Sequence, residues 1–377
     1  MTTQRRSVVV AAVLLAATVC IQASTAHDAV SAKLDEYMSA LASAQRFSGA
    51  VLVARGGSVV LSKGYGMANY EWDVPNTPWT KFRLGSMTKQ FTAMAIMQLD
   101  ERGLLSVDDP VTKHLPDYPR TGDRITIHHL LTHSSGIPSY TDSPDYRKNM
   151  RVDLSVAQMI DGFKDKPLEF APGEKFKYDN SGYFLLGALV EKISGQPYDR
   201  YLQARIFEPL GMKDSGYDRP QLLLKHRAAG YERPPEGLRN TEYLDMGQPY
   251  AAGALYSTIE DLYKWDQALY GETLAKRATL DKMFTPHIDA GPLGKYAYGW
   301  NVTTVHKRRM VGHGGGINGF GTYIARFPDE RAVVIVLRNV LRQGDPPALQ
   351  NDLAAILFGE PFTPFRERGD AAGVRLR

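Results

Sequence analysis

Apolar residues recur at helical spacing in the middle of the chain and alternate or run together towards its two ends. Residues 29–45 place Leu34, Tyr37, Met38 and Leu41 along one side of a helix. Gly49-Ala-Val-Leu-Val-Ala54 and Ser58 to Tyr65 read as two strands turned at Gly56-Gly57. Near the other end, residues 298–305, 309–312, 320–327 and 332–338 read as strands, with Pro328-Asp-Glu330 at the last turn, and 346–358 as a closing helix. Between them, residues 181–194 carry Leu185, Leu186, Leu189, Val190 and Ile193 and stop at Gly195. Residues 197–207 form a further helix ended by Pro209, and Ser257-Thr-Ile-Glu260 reads as a capping box before Leu262, Trp265 and Leu269.

Strands at both ends around a helical middle predict an α/β (α+β) fold. One antiparallel sheet would be assembled from the N- and C-terminal segments and flanked by the terminal helices. The sheet-containing part is expected over 27–85 and 254–377, with a helical lobe inserted over 86–253. A cleft between two such parts is where a site is expected.

The most apolar helix pattern follows Phe82-Arg-Leu-Gly-Ser86-Met-Thr-Lys89, runs through Ala93-Met-Ala-Ile-Met97 and stops at Gly103. It is apolar on every side, which predicts a buried helix. Ser86 and Lys89 stand at its start, roughly 60° apart around the axis and about 4.5 Å along it, within reach of each other. A buried amine must be paired or lose its proton, and an amine so depressed is a base for a neighbouring hydroxyl. The bland alternative is a helix cap and a solvated lysine, so the pair needs support from elsewhere.

Composition narrows the classes. The 377 residues hold 43% hydrophobic and 23% charged residues, and the net charge of +4 is scattered, with no basic run for nucleic acid. Arg5-Arg6, an apolar run from Ser7 to Ile21 and small residues to Ala26 predict a signal peptide over 1–26, too short for a membrane span. The expected location is periplasmic or extracellular. Cys20, the single cysteine, falls in this leader. Val19 before it fits a lipid-attachment site poorly, so simple export is expected, leaving a mature chain without thiol chemistry.

Other motifs are weaker alone. His129 and His133 stand four apart on a predicted short helix over 126–133, a zinc-compatible spacing, but no acidic partner completes a motif, and packing and backbone contacts are their expected role. Tyr178-Asp-Asn180 opens the 181–194 helix, where Asn180 could be a mere cap. His313-Gly-Gly-Gly316-Ile-Asn-Gly319 has the spacing of a dinucleotide loop but opens no helix. A strand stripped of side chains, open to close approach and offering backbone N–H groups to an oxyanion, fits better.

Ser86-x-x-Lys89, Tyr178-x-Asn180 and His313-Gly-Gly315, in that order, resemble the serine β-lactamase and penicillin-binding-protein superfamily. The similarity is to its branch of class C β-lactamases, D-alanyl-D-alanine carboxypeptidases and esterases. It runs from about Gly49 to Gly359 and includes Leu130-Leu-Thr-His-Ser-Ser-Gly136, Ala171-Pro-Gly-Glu174 and Ala252-Gly-Ala-Leu-Tyr-Ser257. The resemblance implies a serine hydrolase in which Ser86 forms an acyl-enzyme and Lys89 and Tyr178 share the proton transfers. Asn180 would position substrate and Lys89, with His313, Gly314 and Gly315 lining the substrate. The backbone N–H groups of Ser86 and Gly316 would form the oxyanion hole, with no metal or cofactor. The implied partner is a small-molecule or peptide substrate, an ester, D-amino-acid peptide or β-lactam. Relatives often carry serine where Asp179 stands, and class C β-lactamases carry lysine in place of His313. An unperturbed histidine is mostly neutral at pH 7, so carboxylate-bearing substrates are expected to bind poorly and to improve towards pH 6. Carboxypeptidase or esterase activity is therefore expected ahead of β-lactamase activity, with a non-catalytic binding module as the alternative of another class.

Overall fold

The computed structural model describes residues 27–342 and 348–363. The expected leader, with Cys20, lies outside the described residues. A helix over 27–43 (α1) leads into β1 (Gly49–Arg55) and β2 (Ser58–Tyr65). The remaining strands of the main sheet come from the far end of the chain: β3 (Ile288–Asp289), β4 (Lys295–Tyr296), β5 (Asn301–Val305), β6 (Arg308–Ile317), β7 (Phe320–Phe327) and β8 (Ala332–Arg338). Their order is β3-β4-β5-β6-β7-β8-β1-β2, and every neighbouring pair is antiparallel. The N-terminal hairpin thus joins the C-terminal meander along β1 and β8, with Gly49 opposite Arg338 and Arg55 opposite Ala332.

Side-chain alternation sorts the two faces of β1. Val51 and Val53 join Leu34, Met38 and Leu41 of α1 and Leu353, Ala354 and Leu357 of α5 (Leu349–Phe358). Ala50, Leu52 and Ala54 face the larger core with Phe91, Met94 and Leu99. The sheet is therefore covered on both faces, which is why β1 reads as a continuous apolar run rather than an alternating one.

The larger core is built around α2 (Thr88–Glu101), in which every residue from Thr88 to Leu99 is buried. It packs against α3 (Asn180–Ser194) and α4 (Ile259–Ala268). Each of its large apolar side chains contributes about 1.5–3 kcal/mol of transfer free energy. That burial is enough to hold a polar residue such as Lys89 in place within the same helix.

Local details differ from the sequence pattern. Ser86 lies in a 3₁₀ turn, Gly85–Met87, that precedes α2 rather than within it. The cap of α4 is Thr258, whose hydroxyl accepts from the Asp261 N–H; Ser257 bonds to Ser215 and Glu260 to Ser62, so the predicted capping box is not formed. Strand β6 continues to Ile317, five residues past the expected 309–312. Asp179, not Asn180, caps α3 by accepting from the Gly182 N–H.

Candidate active site

The 3₁₀ turn at Ser86 is pressed against the glycine-rich end of β6, and glycine is what permits it. A Cβ on Gly315 would lie 1.9 Å from the Leu84 carbonyl oxygen, and one on Gly85, where φ is +55°, would lie 3.0 Å from the Gly316 backbone. Thr322 on β7 fixes the contact by donating to the Leu84 carbonyl at 2.7 Å. Gly316 has open space where a side chain would be. The backbones of Ser86 and Gly316, paired in sequence only by their assigned roles, are thus brought side by side.

Ser86 is partly exposed, whereas Lys89 is fully buried. Lys89 Nζ lies 3.1 Å from Ser86 Oγ, 2.8 Å from Asn180 Oδ1 and 2.9 Å from the Ala252 carbonyl. Burial pulls its pKa down to about 7, against a smaller opposing pull from the Asp179 carboxylate. The Asn180 and Ala252 oxygens can only accept. A neutral amine spends its two N–H bonds on them, and its lone pair is then left facing the Ser86 hydroxyl, the one partner able to donate. This arrangement is that of a base and a nucleophile.

Asn180 is itself held on three sides. Its Oδ1 takes the Lys89 bond, its Nδ2 donates to Thr141 Oγ1 at 3.0 Å, and its backbone N–H donates to Ser139 Oγ at 3.0 Å. Tyr178 places a half-buried ring 4.8 Å from Lys89 Nζ. Its hydroxyl is buried without a hydrogen bond of ordinary geometry, yet lies near enough to Ser86 for that hydroxyl to favour the phenolate. Burial outweighs this and raises the phenol's pKa, so Tyr178 holds its proton at neutral pH.

His313 does not behave as an ordinary exposed histidine. It is buried, with Nδ1 2.6 Å from the Gly314 carbonyl and Nε2 2.9 Å from the Tyr296 hydroxyl. Burial, reinforced by the charge of Lys89, pushes its pKa down to about 3. The expectation that it gains charge towards pH 6 is therefore corrected: the ring is desolvated, both nitrogens are engaged, and it stays neutral throughout that range. His129 and His133 also part company. The helix is only Ile127–Leu131, where His129 accepts from the Thr126 N–H in a reciprocal cap. His133 turns with φ of +57° into the site.

Sequence reasoning missed three contributors. Ala252 acts through its carbonyl, which no side-chain pattern reveals. Asp179, weighed only as a departure in local polarity, is buried beside the site, with its pKa raised by burial. Tyr296, on β4, carries no motif at all. His133 makes the packing and backbone contacts expected of it, and makes them within the site.

Comparison with known proteins identifies the family and the fold. Residues 30–357 match the beta-lactamase family model. A penicillin-binding protein of Bacillus subtilis is 33% identical over 344 residues, covering 84% of this chain and 74% of its own length. The crystal structure of a penicillin-binding protein from Bacillus halodurans superposes with a TM-score of 0.76 at 31% identity, over 85% of this chain and 98% of that one. A D-stereospecific amidohydrolase from Streptomyces superposes with a TM-score of 0.74 at 25% identity, over 89% and 99% of the two chains. The chain belongs to the beta-lactamase family and is a serine hydrolase of the penicillin-binding-protein fold.

Proposed function

We propose that this hydrolase is exported and cleaves esters or D-amino-acid amides and peptides through an acyl-enzyme on Ser86. The observation that carries the chemistry is the setting of Lys89 Nζ, faced by two oxygens that can only accept, those of Asn180 and Ala252, and by Ser86 as its one possible donor. In this reading the neutral Lys89 amine takes the Ser86 proton as Oγ attacks the scissile carbonyl. The backbone N–H groups of Ser86 and Gly316 receive the developing oxyanion. Tyr178, protonated and beside Ser86, hands a proton to the leaving group, and Lys89 re-protonates it. Water then attacks the acyl-enzyme by the reverse route.

The substrate preference follows from His313, a buried neutral ring at the position where a lysine would meet a substrate carboxylate. Acyl donors with a carboxylate near the scissile bond, cephalosporins among them, find no counter-charge there. The likeness to the Streptomyces D-stereospecific amidohydrolase supports an amide among the substrates.

Intact mass after treatment with a fluorophosphonate should show one adduct, lost in Ser86→Ala. A panel of a short p-nitrophenyl ester, a D-amino-acid amide, a D-Ala-D-Ala peptide and a cephalosporin should then rank the cephalosporin last in kcat/KM. Efficient cephalosporin turnover would instead assign a β-lactamase. Export is tested by the N-terminus of the native protein, expected near His27.

A further inference from the structure

His133 grips the chain on both sides of Tyr178. Its carbonyl accepts from the Lys177 N–H at 2.9 Å, and its Nδ1 accepts from the Asp179 N–H at 3.2 Å. Its ring packs on that of Tyr178, with centroids 4.2 Å apart and planes inclined by 35°. The left-handed backbone that makes this possible, φ of +57°, is a conformation that a side-chain-bearing residue adopts only at a cost. Such strain is retained where the surrounding contacts require it.

The same ring continues across the cleft. Its Nε2 is 3.1 Å from the Tyr296 hydroxyl, which is 2.9 Å from His313 Nε2, and His313 Nδ1 is 2.6 Å from the Gly314 carbonyl. The ends of this chain fix every proton in it. The Asp179 N–H can only donate, so His133 Nδ1 is bare and its Nε2–H donates to Tyr296. The Gly314 carbonyl can only accept, so His313 carries its proton on Nδ1, and its bare Nε2 accepts from the Tyr296 O–H. One phenol that accepts on one side and donates on the other satisfies both. The charged and titratable groups around the relay are Lys89, Asp179 (Oδ2 3.7 Å from His133 Nδ1), Tyr178 and Tyr183. Tyr183 turns its own hydroxyl to the Leu131 carbonyl at 2.9 Å.

We propose that His133 and Tyr296 are positioning residues for acyl transfer: a neutral, directional relay that locks Tyr178 in register and, through His313, pins the Gly314 peptide beside the oxyanion site. The proposal rests on the Ser86 acyl-enzyme reading. Neither residue touches the reacting atoms; His133 acts through Tyr178, and Tyr296 acts through His313.

The test uses the full mature enzyme, labelled with ¹⁵N-histidine, and three variants. Tyr296→Phe deletes one oxygen and should fold. It should lower kcat for a short p-nitrophenyl ester about ten- to a hundredfold, the effect of two buried hydrogen bonds, with KM within about threefold. In the wild type, the imidazole ¹⁵N signals of His133 and His313 should show opposite tautomers, Nε2–H and Nδ1–H, unchanged from about pH 5 to 8. In Tyr296→Phe the His313 signal should move towards a tautomer mixture. His133→Asn tolerates the left-handed backbone and keeps an oxygen for the Asp179 N–H, so it should retain more kcat than His133→Ala. A fluorophosphonate-labelled wild type whose Tyr296→Phe variant keeps full kcat and the same imidazole signals overturns the relay alone. A wild type that no fluorophosphonate labels overturns the acyl-enzyme reading, and the relay's catalytic purpose with it.

Discussion

Replacing Lys89 by methionine separates two effects that the buried amine superimposes. Its pKa falls from 10.5 to about 7 in the fold. At 1.36 kcal/mol per unit, charging it there costs about 5 kcal/mol more than in the unfolded chain. The sign follows from proton counting. Between pH 7 and 10.5 the unfolded chain holds the proton and the folded one has lost it, so stability rises with pH across that window. Below pH 7 both states are protonated and the full cost is present; above 10.5 it vanishes. Methionine removes this cost but leaves the Asn180 and Ala252 oxygens without a donor, at about 1–3 kcal/mol each and independent of pH. The two nearly cancel at pH 7, so Lys89→Met should unfold in urea within about 2 kcal/mol of the parent there, while having no turnover. Near pH 9.5 only about 1.4 kcal/mol of the charging cost survives, and the variant should be the less stable protein. The parent's kcat/KM for a neutral ester should fall tenfold per unit below about pH 7, as the amine gains its proton. A stability gap that stays constant from pH 7 to 9.5, or a kcat/KM that stays flat down to about pH 5.5, would refute the buried neutral base.

Ser86→Ala should abolish both turnover and fluorophosphonate labelling with little change in urea midpoint, because the Ser86 hydroxyl caps no helix. Asp179→Asn keeps the cap on α3 but removes the carboxylate that supports the Lys89 charge. The acid limb of kcat/KM should therefore shift to lower pH, read from the pH–rate profile. Gly315→Ala forces a methyl group into the Leu84 carbonyl and should separate β6 from the Ser86 turn. The rate of labelling should drop at least about tenfold, at a stability cost of about 1–3 kcal/mol in thermal unfolding.

What could be read from the chain alone was what repeats. The apolar run of α2 announces a buried helix, and a lysine inside it announces a perturbed amine. Six of the eight strands of the main sheet are equally visible, where side chains alternate or run apolar, whereas β3 and β4 are two residues each and too short to carry a pattern. Gly312 and Gly314 to Gly316 have none to alternate, so β6 was cut short just where it meets Ser86. The helix expected over 126–133 runs too long, although His129 and His133 make the packing and backbone contacts expected of them. Four-residue spacing puts two side chains on one face only while the helix lasts, and it ends at Leu131. Asp179 took the cap from Asn180 because an extended backbone at φ −138° lets its carboxylate reach the Gly182 N–H, which frees the Asn180 amide for Lys89. Tyr296 was invisible because its partners are 163 and 17 residues away.

The site resolves a conflict between burial and charge by keeping its bases neutral rather than by pairing them. Lys89, His133 and His313 each lose affinity for a proton through desolvation, and each has its remaining hydrogen-bonding capacity filled by backbone, hydroxyl or amide groups. A stable cation at any of the three would lower the proton affinity of the other two, as Lys89 already does for both histidines. Neutrality at His313 therefore serves the neutral amine at Lys89. A lysine at 313 would bring a counter-charge for a substrate carboxylate and depress Lys89 further, whereas histidine held by Tyr296 leaves the amine near pH 7 and the cleft without a fixed positive charge at that position. In the proposed mechanism the negative charge of a tetrahedral intermediate is left to backbone N–H dipoles, which carry no net charge and need no reorganisation as the oxyanion develops.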